Sequence, residues 1–177
     1  RVVGARAEVR LATAARAEHL GIAAIHQEFT LVPELSVAEN ITLGRPPRRL
    51  GVINRREMDR QARAALERVG LNVDLHRPVG TLGVARQQLV EIAKALSQDA
   101  RILILDEPTA ALSDAEVDHL LGLMSDLRDK GVGMIFISHH LEEIHAIGDR
   151  VTVLRDGQSI DTVPASTPPP DLVRLMV

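Results

Sequence analysis

The sequence predicts an α/β fold built on a parallel sheet, and three observations predict it. Four branched aliphatics in a row, Ile102-Leu103-Ile104-Leu105, read as a strand buried on both faces. Strand-like and helix-like stretches then alternate from residue 101 to 163 at the spacing of βαβ units. The length, 177 residues, suits one domain or one with a subdomain.

Composition removes several function classes. Cysteine is absent, which excludes disulfides and thiolate metal sites. Phe29 and Phe136 are the only Phe, Tyr or Trp residues, so a stacking platform for single-stranded nucleic acid has little to be built from. The net charge is −3 with arginines and acids interspersed, which argues against a nucleic-acid footprint. No apolar stretch approaches the ~18 residues needed to span a bilayer as a helix.

The elements follow in order. The chain opens strand-rich and turns helical over 13–20, with Thr13 as N-cap and Gly21 as terminator. Ile22–Ile25 reads as a short buried strand running into Gln27-Glu28. Residues 33–96 are mostly helical. Ser36 and Glu39 have capping-box spacing and open a short helix that Gly44 closes. Residues 45–52 read as a Pro/Gly/Arg loop. Asn54 and Glu57 open a second helix, whose Met58, Ala62, Ala65, Leu66 and Val69 share a face. A third runs over 85–96 with Leu89, Ile92, Ala93 and Leu96 as its stripe.

The alternating part comes next. A strand at 101–105 leads to a helix from Ser113, boxed by Glu116, with Val117, Leu120, Leu121, Met124 and Leu127 inward. A strand at 134–137, a short helix at 140–147 and a strand at 150–154 follow. Asp156-Gly157 is a strong hairpin signal joining the last of these to a strand at 158–163. Residues 164–170 hold four prolines and read as a linker before an amphipathic stub at 171–177.

The chemistry gathers at strand ends. Asp106 and Glu107 stand where the buried strand must stop, and Pro108 stops it because it has no N–H to give. Ligands of open α/β sheets bind just beyond the carboxyl ends of strands. A plain acidic turn fits the same segment. His139 ends the next strand and Gln27 follows an earlier one, while Leu82-Gly83-Val84-Ala85-Arg86-Gln87-Gln88 opens a helix.

In this order and spacing the four features resemble the nucleotide-binding subunit of ABC transporters, over nearly the whole chain. The nearest branch is the first cassette of tandem-cassette carbohydrate importers of the ribose, xylose and galactose type. Residues 25–41 (IHQEFTLVPELSVAENI), 87–96 (QQLVEIAKAL) and 172–177 (LVRLMV) carry that resemblance.

The resemblance implies a RecA-like P-loop NTPase core, incomplete, with an inserted helical subdomain. It divides the chain into residues 1–30 (end of a β-subdomain and Q-loop strand), 31–97 (helical subdomain with signature loop), 98–163 (core with Walker B and H-loop) and 164–177 (linker and truncated helix). It implies ATP and Mg²⁺ as ligands. Asp106 matches the Walker B aspartate and Gln27 the Q-loop glutamine, both near Mg²⁺ and indirectly bound to it. Glu107 matches the residue that orients or deprotonates the attacking water, and His139 the switch histidine. It also implies transmembrane permease subunits, a second ATPase cassette and, indirectly, a periplasmic or extracellular sugar-binding protein as partners. No nucleic acid is implied, and the expected position is peripheral, on the cytoplasmic face of the membrane.

The sequence departs from the family in three places. Where the signature loop reads Leu-Ser-Gly-Gly-Gln, this chain has Leu82-Gly83-Val84-Ala85-Arg86, so the hydroxyl is lost at Gly83 and Ala85 adds a methyl. The usual D-loop aspartate is Ser113. No Gly-x-x-x-x-Gly-Lys-[Ser/Thr] loop occurs, and the two lysines, Lys94 and Lys130, lie in no such pattern. The expectation is a cassette missing its beginning, which by itself binds ATP poorly. Competing readings are a degenerate cassette serving as an interaction module, an ABC-type ATPase for a nucleoside or autoinducer, a soluble ABC-type ATPase without a transporter, and a metal-dependent hydrolase using His139, His140, Glu143 and His145.

Overall fold

The computed structural model describes residues 2–4, 7–9 and 13–176. Strands β1 (Val2–Gly4) and β2 (Ala7–Val9) pair antiparallel in an opening hairpin. The rest of the expected β-subdomain end, at residues 5, 6, 10 and 11, lies outside the described residues. Thr13 then caps α1 (Ala14–His19), its Oγ1 accepting the Arg16 N–H at 3.2 Å. Gly21 leaves the helix with φ +76, and the chain enters β3 (Ile22–Ile25).

The helical block follows. Its first helix, α2 (Val37–Ile41), has the capping box that Ser36 and Glu39 predict. Residues 45–52 hold more order than a loop: β4 (Arg48–Arg49) and β5 (Val52–Ile53) form a small antiparallel hairpin, turned by Leu50 at φ 52 and Gly51 at φ 83. The positive φ at Leu50 makes this turn unreadable from its residue types. Asn54 Oδ1 accepts the Glu57 N–H and opens α3 (Arg55–Arg68). A 3-10 turn at Val79–Thr81 leads into α4 (Val84–Ser97), whose predicted stripe, Leu89, Ile92, Ala93 and Leu96, is buried throughout.

Asn40 ties this block together. Fully buried, it accepts the Val32 N–H at 2.8 Å and donates from Nδ2 to the carbonyls of Val32, Leu35 and Ser36. A buried amide must find such partners. Here they hold residues 32–36 against α2.

The central strand is β6 (Ile102–Asp106), flanked in parallel by β3 on one side and β7 (Gly133–Ile137) on the other. Helix α5 (Asp114–Asp129) forms the crossover between β6 and β7. Its Leu120, Leu123, Met124 and Leu127 join Leu103, Leu105, Ile25 and the helical block in one core. Each such aliphatic contributes roughly 1.5–3 kcal/mol by leaving water.

Two expectations change here. The central strand is covered on one face, not both: Leu103 and Leu105 are buried, but Ile102 and Ile104 are half-exposed. Ala24, Ile135 and Ile137 are exposed on the same open face. Cover on that face is partial, since Ile22, which pairs with Ile102, is buried. The second change concerns β8 (Arg150–Arg155), which follows α6 (Leu141–Ile147). Strand–helix alternation predicts that β8 joins the parallel sheet. Instead it pairs antiparallel with β9 (Gln158–Pro164) in a separate ribbon. The turn is as read, with φ 51 at Asp156 and φ 75 at Gly157.

The proline segment is also not a free linker. Pro169 lies at the first helical position of α7 (Pro169–Met176), where a missing N–H costs nothing. Leu172 is fully buried there against Val151, Val153 and Ala165.

Candidate functional site

Parallel strands that stop together bring their following residues to one edge. The register aligns Ile25 with Leu105, Leu105 with Phe136, and Asp106 with Ile137. Gln27 therefore follows β3, Glu107 follows β6 and His139 follows β7 at the same end of the sheet. The Glu107 N–H extends the ladder by one bond to the Ile137 carbonyl at 2.9 Å.

Glu107 sits at φ +46, in the left-handed region that a non-glycine residue adopts only when its surroundings hold it there. That turn aims its carboxylate across to the next loop. Oε1 lies 3.2 Å from His139 Nδ1. A carboxylate can only accept, so the contact assigns the ring proton to Nδ1 and leaves Nε2 for another partner. Glu107 is about a third exposed and His139 mostly exposed, so the pair opens outward.

Asp106 is half-buried at the end of β6, and its carboxylate makes no hydrogen bond or ion pair with the described residues. Gln27 is exposed on the same edge, also without a side-chain partner among them. Two uncommitted oxygen donors beside an acid–imidazole pair fit a hard divalent cation and an oxyanion.

The 82–86 loop forms a second feature. Leu82 is buried, Gly83 caps α4, and the Gly83 carbonyl accepts the N–H groups of Arg86 and Gln87 at 3.0 Å each. Gln87 Nε2 donates to the Leu82 carbonyl at 2.7 Å. Val84 and Arg86 are exposed, and Ala85 is half-buried. A cleft of about 300 Å³ opens beside the loop, lined by Arg77, Thr81, Leu82, Gly83, Ala85, Arg86 and Glu116. Arg77 Nη2 is fixed to the Thr81 carbonyl at 2.8 Å. Two guanidinium groups thus flank the cleft. A Cβ at Gly83 would meet nothing within 4 Å, so packing does not demand glycine there.

Ser113, the N-cap of α5, is engaged locally. Its N–H and Oγ both donate to Glu116 Oε2, at 2.9 and 2.7 Å. These bonds, the backbone one first, hold the Glu116 carboxyl below its ordinary range.

His139, His140, Glu143 and His145 do not form a shared ligand face. His139 turns to Glu107, with the His140 ring 4.1 Å away. Glu143 is buried against Thr109 and Ser138. His145 lies between the carbonyls of Leu141 and Thr167. The i,i+4 relation of His139 and Glu143 fails because α6 begins only at Leu141. Among the described residues no three His, Asp or Glu side chains converge to hold a metal.

Two residues of the site, Thr109 and Ser138, were not singled out by sequence reasoning, and Glu143 was named there only as a candidate metal ligand. The available signal was adjacency, since Thr109 stands two residues after Glu107 and Ser138 one before His139.

Comparison with known proteins decides the family. The ABC transporter family profile matches residues 5–110, more than half of the chain. The chain belongs to the ABC transporter family. It is 60% identical over all 177 residues to ribose import ATP-binding protein RbsA 2 of Streptomyces coelicolor, covering 34% of that protein. It is 61% identical over 161 residues to ribose import ATP-binding protein RbsA of Corynebacterium glutamicum, covering 91% of this chain and 31% of that one. The chain thus spans about a third of the length of these curated relatives. Among solved structures it is similar to cbiO1 from Clostridium perfringens, part of the ABC transporter complex cbiONQ. The TM-score is 0.71 at 25% identity, over 83% of this chain and 58% of that one. The ABC ATPase fold, in its partial RecA-like form with a parallel sheet and flanking helices, is therefore established for this ABC chain.

Proposed function

We propose that this chain is part of an ATP-binding and ATP-hydrolysing subunit that drives sugar import, with ribose the first substrate to test. The observation that carries the reading is the Glu107–His139 contact at the strand ends, beside the uncommitted Asp106. The names of the relatives, ribose import ATP-binding proteins, support the solute class.

Phosphoryl transfer asks a protein for positioning and charge stabilisation more than for covalent chemistry. Glu107 accepts a proton from the attacking water. The water oxygen bonds to the γ-phosphorus as the bond to the β–γ bridging oxygen breaks, and that electron pair leaves on ADP. His139 donates from Nδ1 to Glu107 and, in the doubly protonated form that two acceptors require, from Nε2 to the γ-phosphate. Asp106 and the Gln27 amide oxygen would hold Mg²⁺ indirectly, and the ion would supply neutralisation of the phosphate charge. The 82–86 loop and the Arg86 side chain serve a nucleotide held on a second cassette, and the missing hydroxyl at Gly83 makes that half-site weak.

The same reading divides the chain at residues 1–30, 31–97, 98–163 and 164–177, as the resemblance implies. Its partners are transmembrane permease subunits, a second cassette and, through them, a sugar-binding protein. Its position is peripheral on the cytoplasmic membrane face; no helix among the described residues is long and apolar enough to cross a bilayer. The phosphate-cradling Gly-x-x-x-x-Gly-Lys loop is not among the 177 residues, so this stretch taken alone hydrolyses no ATP measurably.

The test is reconstitution of the full-length protein with its permease in liposomes. ATP-dependent accumulation of labelled ribose, stopped by unlabelled ribose, supports the reading. Accumulation of a nucleoside in place of ribose removes the solute assignment, and uptake that needs no ATP removes the reading as a whole.

A further inference from the structure

Glu143 is a buried carboxylate that the chemistry above leaves unused. It stands in the first turn of α6 and is 8% exposed. A single oxygen, Oε2, accepts two hydroxyl hydrogen bonds: from Thr109 Oγ1 at 3.0 Å and from Ser138 Oγ at 2.7 Å. Thr109 is itself 5% exposed and lies two residues beyond Glu107. Ser138 immediately precedes His139, and its Oγ also accepts the His140 N–H at 3.0 Å.

The two hydroxyls belong to two loops that are otherwise joined by the Glu107 N–H bond to the Ile137 carbonyl and by the Glu107–His139 contact itself. We propose that Glu143 is a positioning residue that clamps these loops together and so sets the spacing between Glu107 and His139. The inference rests on the hydrolysis reading. The logic is geometric: both functional side chains hang on short turns, one at a positive φ, and short turns drift unless anchored from below. A shared acceptor under both loops removes that freedom. Displacement of reacting groups by about 1 Å is enough to cost two orders of magnitude in rate.

The experiment uses the full-length protein, measuring steady-state ATP hydrolysis and equilibrium MgATP binding. Glu143→Ala is expected to lower kcat about tenfold or more while the ATP dissociation constant stays within about twofold. Glu143→Gln keeps a carbonyl oxygen able to accept both hydroxyls and is expected to recover at least about half of the lost turnover. The double variant Thr109→Val/Ser138→Ala removes the donors and leaves α6 untouched. It is expected to reproduce the kcat loss, and adding Glu143→Ala to it should cost little more. If Glu143→Ala does not fold, the double variant decides, and unchanged kcat there overturns the inference. Equal losses of binding and kcat, without rescue by Gln, also overturn it, because they mark a merely structural role. Glu107→Gln run alongside separates the two ideas. Full turnover in Glu107→Gln sinks the hydrolysis reading and this inference with it. Lost turnover there with unchanged kcat in Glu143→Ala sinks this inference alone.

Discussion

Glu107 Oε1 lies 3.2 Å from His139 Nδ1, across 32 positions of sequence and from one parallel strand to the next. Neither residue is buried enough for the contact to be a packing accident, and Glu107 reaches it only through a left-handed backbone conformation. On the hydrolysis reading, replacing the imidazole with alanine removes the group that donates to the γ-phosphate. Loss of one such donor costs about a hundredfold in kcat in comparable sites. His139→Ala is expected to show that loss in phosphate release while circular dichroism stays unchanged.

Asn40 makes four hydrogen bonds with residues 32–36 while fully buried. Truncation leaves the Val32 N–H and three carbonyls with fewer partners. Asn40→Ala is expected to destabilise by about 2–4 kcal/mol in urea titrations, with the m-value unchanged.

Gly80 and Gly83 are three residues apart and should answer oppositely to a side chain. A Cβ at Gly80 would lie 2.8 Å from Pro33 Cβ and 3.1 Å from its carbonyl oxygen. Gly80→Ala is expected to cost about 1–3 kcal/mol. At Gly83 there is open space and an N-cap awaiting a hydroxyl. Gly83→Ser is expected to leave stability equal or raise it by a few tenths of a kcal/mol. Paired thermal melts of the two variants check both.

His145 gives a pH signature. Its Nδ1 lies 2.6 Å from the Leu141 carbonyl and Nε2 2.9 Å from that of Thr167. Two acceptors require both ring nitrogens to carry protons, and the bonds to Thr167 first and Leu141 second raise its pKa above the ordinary 6.5. A raised folded-state pKa stabilises the fold fully below the unfolded value and loses that contribution as pH rises through the folded one. The melting-temperature gap between the native chain and His145→Leu should therefore be widest below about pH 6 and narrow as the medium turns alkaline. Hydrogen exchange in α7, next to Thr167, should quicken over the same range.

What was legible in the sequence was mostly local. The caps at Thr13, Ser36, Asn54 and Ser113 depend on residues three apart, and the Asp156-Gly157 turn on two neighbours. The site edge was legible for a related reason: a run of aliphatics ended by Asp106, Glu107 and Pro108 marks where a parallel strand stops. What stayed hidden depends on distant partners. Nothing in residues 150–155 says that the hairpin they form with β9 stands apart from the parallel sheet. Pro169 reads as a breaker until Leu172 is seen to dock on Val151 and Val153. The open face at Ile135 and Ile137 reads as core because composition reports apolarity and not cover. Glu143 was hidden likewise, because its meaning lies in Thr109, 34 residues away.

The central claim is that Glu107 handles the attacking water, and Glu107→Gln tests it most directly. The full-length protein carrying this change should bind MgATP within about twofold of the native affinity and release phosphate in a single turnover at least about a hundredfold more slowly. Phosphate release at the native rate would contradict the account.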